Sequence, residues 1–272
     1  MGNLNTYRRA LTIAGSDPSG GAGLQADLKT FSALGVYGMS AVVAVVDENT
    51  VGVTGVHPIP VPFVEGQIRS CLDDIGADAV KIGMLHSSEL IRAVRDTLEP
   101  YKISNIVLDP VMVATSGDPL LEDSAVATLR DELIPHVGVI TPNVPEAEIL
   151  AGCKIDSQEQ LPDLARQLSQ GKRVSVLLKA GHLGGEHLTD IFYNAKTGKM
   201  TPLSSPRVDT VNTHGTGCTL SSAFAAFLAH GADLDEAATR SKAYIAAAIA
   251  AGAKYLIGHG HGPVHHFHNL WK

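Results

Sequence analysis

Cysteine is scarce: Cys71, Cys153 and Cys218 are an odd number at wide spacings, with no C-x-x-C pair. A disulfide framework and a thiolate zinc site are thereby excluded, and a reducing cytoplasm is the expected compartment. Charge of one sign is never concentrated. Lys and Arg number 21 against 28 Asp and Glu, a net charge of −7, and no block of like charges interrupts the chain. That argues against a nucleic-acid footprint and a polybasic membrane surface, and makes a small molecule the expected partner. Long apolar runs are missing as well. The longest weakly polar stretch, 244–253, is Ala-rich and far short of the roughly 20 residues that a spanning helix needs. Behind Arg8 and Arg9 only residues 11–14 are apolar before Asp17, too few for a secretory leader. No G-x-x-x-x-G-K-[ST] occurs, so a Walker-A phosphate loop is excluded as a motif.

What is there is 44% apolar, carries 27 glycines and alternates strand with helix. Unalternating apolar runs at 10–14, 40–46, 79–84, 105–112, 138–141 and 174–179 read as buried strands. Helical spacing follows them in Leu24, Leu28 and Phe31, and again behind Pro62, where Phe63, Ile68, Cys71, Leu72 and Ile75 share a face. Leu90, Ile91, Val94 and Leu98 mark a third helix, and Val126, Leu129 and Leu133 a fourth. Pro145 opens another, and Asp156 stands three residues before Glu159, a capping-box spacing. Residues 188–208 break the rhythm as a hairpin around Ala195-Lys196-Thr197-Gly198, and two Ala-rich helices, 216–230 and 234–253, follow it. Six or so βα units with no linker predict one α/β domain. Its sheet is largely parallel with helices on both faces and a hairpin at the edge, and residues 1–9 form a loose extension.

Ligands of such sheets gather beyond the carboxyl ends of the strands. Five loops qualify: 15–27, 47–50, 109–117, 143–146 and 214–219. In the last, His214-Gly215-Thr216-Gly217-Cys218 runs straight into a helix, and its N–H groups can hold an anion such as a phosphate; a plain glycine turn is the alternative. Cys218 in the first helical turn is expected to have a lowered pKa that suits a base or nucleophile, unless it is a small buried hydrophobe. Glu146 can bind Mg²⁺ beside Asn143, which equally well caps a helix. Lys179, ending a strand, reaches either a phosphate or solvent. Gly21-x-Gly23-x-x-Ala26 imitates a dinucleotide fingerprint, but its glycines lie too far beyond the strand. His259, His261, His265, His266 and His268 crowd the tail without a cysteine or carboxylate, so packing or edging of a site is expected rather than metal binding.

Taken in order, the segments LTIAGSDPSGGAGLQADLKTFSALGVYG, VKIGML, VLDPVMVATSGDPLL, ITPNVPEAE, NTHGTGCTLSSA and GHGPVHHFH resemble the hydroxymethylpyrimidine/phosphomethylpyrimidine kinases of the ribokinase-like superfamily. The likeness spans nearly the whole chain. It implies a three-layer αβα fold without a large lid domain, a homodimer, and use of ATP and Mg²⁺ to phosphorylate a hydroxymethyl aminopyrimidine and then its monophosphate. It places Gly15, Asp27, Glu48 and Met84 around the pyrimidine, and Asp109 and Glu146 at Mg²⁺. Asn143, Thr213 and Lys242 fall beside the nucleotide, and Lys179, Gly215, Thr216 and Gly217 around the moving phosphoryl group. Cys218 stands where many sugar kinases of the superfamily carry an aspartate base. Glu48 departs from the family, whose members commonly have Gln there. An amide both donates and accepts, whereas a carboxylate only accepts. Pyridoxal or pyridoxine is therefore the alternative acceptor, and a non-catalytic ligand-binding relative is the remaining reading.

Overall fold

The computed structural model describes residues 6–112, 121–171, 173–181 and 183–271. In chain order, β1 (Arg9–Ala14) leads through α1 (Gly23–Ala33) to β2 (Tyr37–Val42), the paired β3 (Ala44–Glu48) and β4 (Val53–Pro58), and α2 (Val61–Asp74). Next come β5 (Ala79–Ile82), α3 (Ser88–Leu98), β6 (Ile106–Leu108), α4 (Asp123–Thr128), β7 (Val139–Ile140), α5 (Val144–Ala151) and α6 (Leu161–Leu168). β8 (Ser175–Leu178), β9 (His187–Tyr193), β10 (Met200–Pro206), α7 (Thr216–Ala229) and α8 (Leu234–Gly252) complete the order.

Eight strands form one sheet in the order β10-β9-β8-β7-β6-β5-β1-β2. From β2 to β8 all neighbours are parallel, and the β9–β10 hairpin adds antiparallel strands at the edge, as expected. The inner parallel strands are covered on both sides, which is why their sequences do not alternate: all four residues of β5 and of β8 are buried, whereas β2 at the edge is only half covered. Ala79, Val107, Val139 and Leu177 face α1, α7 and α8 and meet Phe31 and Phe224. Val80, Leu108, Ile140 and Val176 face the opposite helices and meet Ile68, Leu90 and Leu164. The result is the expected three-layer architecture. Ala223, Ala237, Ala238 and Ala248 are fully buried, and these small side chains let α7 and α8 pack closely on the sheet. Among the described residues no helix is long and apolar enough to cross a membrane.

Several local expectations are corrected. The run 40–46 is two strands, because Val43 N–H still donates to Ala14 while the chain turns out of the sheet to pair β3 antiparallel with β4. Phe63 is 66% exposed, and the buried face of α2 is Val64, Ile68 and Leu72, shifted by one residue at its start. The capping box belongs to Ser157 and Gln160, not to Asp156 and Glu159. The N-terminal extension is shorter than expected: Arg9 lies in β1 and its guanidinium pairs with Asp78 at 3.0 Å. The expected loop 109–117 falls outside the described residues beyond Met112.

Candidate active site

The carboxyl ends of the parallel strands open into a cavity of about 740 Å³. Gly15, Glu48, Met84, Asp109, Asn143, Glu146, Lys179, Thr213, Gly215, Thr216, Gly217, Cys218 and Lys242 all line it.

At one end the chain folds into an anion cradle. α7 starts behind Gly215, whose φ of 75° belongs to the left-handed region, and a Cβ there would lie 1.8 Å from the Gly21 carbonyl oxygen. The two glycine loops are thus pressed backbone to backbone. At Gly217 a Cβ would lie 3.1 Å from Lys179 Nζ, so the missing side chain leaves the ammonium room beside the first N–H groups of α7. Lys179 donates to Asp109 Oδ1 at 3.0 Å, and Thr141 Oγ1 donates to the same oxygen at 3.0 Å. Desolvation opposes the Lys179 charge, but Asp109 and then Glu146 outweigh it and hold the pKa above the ordinary lysine value. For Asp109, burial is likewise outweighed by Lys179 and Lys81, which keep it lowered. Burial wins at Glu146, whose carboxyl is pushed up to about 7.

Asn143 caps α5, the alternative foreseen for it, from a place on the cavity wall. Its Oδ1 accepts from Glu146 N–H at 2.9 Å while Glu146 Oε2 accepts from Asn143 N–H at 2.8 Å. Asn143→Ala is expected to cost about 1 kcal/mol in urea unfolding through the lost cap. A midpoint equal to wild type would show that the box adds nothing.

At the other end Gly15 faces Met84, whose Cε would lie 2.8 Å from a Cβ at residue 15. Beside them Glu48 Oε1 stands 3.9 Å from His214 Nε2, which is 2.8 Å from Asp17 Oδ2. Sequence reasoning placed His214 in the loop but gave neither it nor Asp17 a task. The tail closes over this loop: His214 N–H donates to Gly262, and Val264 N–H donates to His214. Of the tail histidines, His265 packs edge-on to Tyr255 and Trp271 and His268 packs against Tyr244, whereas His259 and His261 are exposed.

Two expectations fail between the ends. Asp27 does not reach the cavity. It is fully buried and accepts from Thr12 Oγ1 at 2.5 Å, Ser222 Oγ at 2.6 Å and Lys81 Nζ at 2.9 Å. Lys81, which sequence reasoning missed, is itself fully buried and does line the cavity. The Cys218 thiol is not acidified: burial pushes it up to about 12, outweighing Lys81 and the Gly23 N–H, while Asp27 and Asp109 raise it further. Lys242 reaches the cavity rim in a 2.8 Å ion pair with Asp190.

A family model described as phosphomethylpyrimidine kinase matches residues 17–265. The chain is 49% identical over 266 residues to a hydroxymethylpyrimidine/phosphomethylpyrimidine kinase of Rhizobium meliloti, covering 97% of this chain and 98% of that protein. To the Escherichia coli protein of the same name it is 47% identical over 268 residues, covering 96% and 98%. The solved phosphomethylpyrimidine kinase from Clostridium difficile superposes with a TM-score of 0.76 at 41% identity, over 87% of this chain and 97% of that one. Pyridoxal kinase from Staphylococcus aureus in complex with ADP superposes with a TM-score of 0.88 at 34% identity, over 98% and 96%. Matched across both glycine loops and the whole sheet between them, this chain belongs to the phosphomethylpyrimidine kinase family.

Proposed function

We propose that the protein transfers the γ-phosphoryl group of ATP to the hydroxymethyl group of 4-amino-5-hydroxymethyl-2-methylpyrimidine, and a second phosphoryl group to the resulting monophosphate, in thiamine biosynthesis. One observation carries this reading: a single cavity holds the Gly215–Cys218 cradle with Lys179 at one end and a pocket of Gly15, Glu48 and Met84 at the other. Phosphoryl transfer asks a protein mainly for position and charge neutralisation. The N–H groups of α7 and the Lys179 ammonium offer both to a terminal phosphate. Thr213, Asn143 and Lys242 flank the nucleotide, with Asp190 holding Lys242 in place.

Asp109 and Glu146 are the ligands proposed for Mg²⁺. Both are carboxylates, the hard oxygen donors this ion prefers, and the desolvation that raises Glu146 is what a nearby cation relieves. Mg²⁺ would neutralise the phosphate oxygens as charge develops on them. The protein works as a homodimer in the cytoplasm, where its three free cysteines stay reduced. Val45 and Val56, 51% and 43% exposed on the β3–β4 ribbon, offer an apolar surface for the second copy.

Coupled ADP release with the aminopyrimidine, its monophosphate and pyridoxal tests the assignment. Turnover of both pyrimidines is expected, and Lys179→Met should lower kcat of both steps by about 10²–10³-fold. No ADP release with either pyrimidine would overturn it. Pyridoxal is the second reading, favoured by the acceptor-only Glu48, and faster turnover of pyridoxal than of either pyrimidine would select it.

A further inference from the structure

Glu48 reaches the cavity from the end of β3, where the pairing with β4 slips between Asp47 and Glu48 and re-aims the side chain. Behind it stands a buried pair. Asp17 Oδ1 accepts from Ser19 N–H at 2.8 Å, and Oδ2 accepts from Gly21 N–H at 3.0 Å, Ala22 N–H at 2.6 Å and the His214 ring at 2.8 Å. Three donors, the His214 ring among them, crowd Asp17 Oδ2, so the oxygen that faces His214 is already saturated and holds that ring in place. Burial works against both partners. It is overcome by their contact, which holds Asp17 well below the usual carboxylate range and His214 above the usual histidine value.

The groups facing His214 are Asp17 from the first loop, Glu48 from β3 and, from the tail, His266, which burial and then Lys29 hold down to about 4 and therefore neutral. With His214 protonated, the state its raised pKa favours, and both carboxylates ionised, the three groups carry one net negative charge. A protonated ring 3.9 Å from Glu48 attracts the carboxylate. A carboxylate accepts and cannot donate. Opposite a neutral 4-aminopyrimidine, one oxygen would meet the amino N–H and the other a ring-nitrogen lone pair. Opposite a ring protonated on that nitrogen, both oxygens receive an N–H, in two parallel charge-assisted bonds that also cancel the net charge.

We infer that Asp17, His214 and Glu48 select the ring-protonated form of the acceptor, so that binding above the ring's own pKa takes one proton from water. The inference rests on the reading that this cavity takes an aminopyrimidine. Glu48 acts by direct contact with the ring, and His214 and Asp17 are positioning residues behind it.

Protonation changes the ultraviolet absorption of an aminopyrimidine, so the difference spectrum of hydroxymethylpyrimidine bound to the intact protein reports it without any turnover. Above the ring's own pKa, wild type should show the protonated spectrum and Glu48→Gln the neutral one. Across the same range the wild-type KM should rise about tenfold per pH unit, while that of Glu48→Gln stays flat. His214→Gln should weaken the protonated signature yet still bind ADP, which a merely misfolded variant would not do. A neutral spectrum in wild type overturns the inference and leaves the kinase assignment standing. No binding of the aminopyrimidine, with turnover of pyridoxal alone, overturns both.

Discussion

Cys218→Ala should slow the first phosphorylation by about 10²–10⁴-fold, the usual contribution of a positioned base, and leave the second within a few-fold. The difference lies in the acceptors. A hydroxymethyl group must lose a proton as it attacks, whereas a phosphate monoester, with a second pKa of about 6, is already largely ionised at neutral pH. Cys218 lines the cavity in the first turn of α7, at the end of the cradle. Its thiol is pushed up to about 12 by burial, so a thiolate able to take the proton would be a rare species near neutrality. The sign follows. Below the pKa the thiolate fraction rises about tenfold per pH unit, so kcat of the first step should climb with that slope between about pH 7 and about pH 9. Lys81 and Lys179 both have raised pKa values and stay charged throughout, so no loss of cation masks the rise. Saturating acceptor removes the separate effect of ring protonation on KM. The second step should be flat over the same range, and Cys218→Ala should flatten the first. Equal losses in the two steps, or a flat wild-type profile, would remove the base role.

What the sequence made legible follows from how each signal arises. The parallel strands were readable because burial on both faces demands unbroken apolar runs, and the cavity-lining loops because glycines and polar residues cluster where those strands end. β4 was not, because a two-stranded ribbon standing off the sheet leaves Val53–Pro58 mostly exposed and without a clean pattern. The pKa of Cys218 was misjudged because helix position is local and visible, while desolvation depends on everything packed around the sulfur. Asp27 was placed beside the pyrimidine by the family resemblance alone, although its own place in α1 turns it into the core. Lys81 did leave a signal: a lysine in the middle of an apolar, unalternating strand cannot face solvent on either side, so it requires a buried carboxylate partner.

That pairing should dominate stability. Lys81 and Asp27 are 2.9 Å apart with both side chains fully covered, so Lys81→Met strands a carboxylate in the core and should cost about 3–5 kcal/mol in urea unfolding. Thr12 and Ser222 still donate to Asp27 in that variant, but they supply no countercharge. Adding Asp27→Asn removes the orphaned charge, and the double variant should recover most of the loss, since a buried ion pair is often matched by neutral groups of similar volume. Recovered folding should not mean recovered catalysis. Of the two partners Lys81 has the larger influence on the Cys218 thiol, and it is the one that draws the pKa down. The refolded double variant should therefore run the first phosphorylation more slowly than wild type while binding ADP normally. Full recovery of both stability and first-step rate would show Lys81 to be a core residue alone. Recovery of stability without rate would tie the ion pair to the proton acceptor.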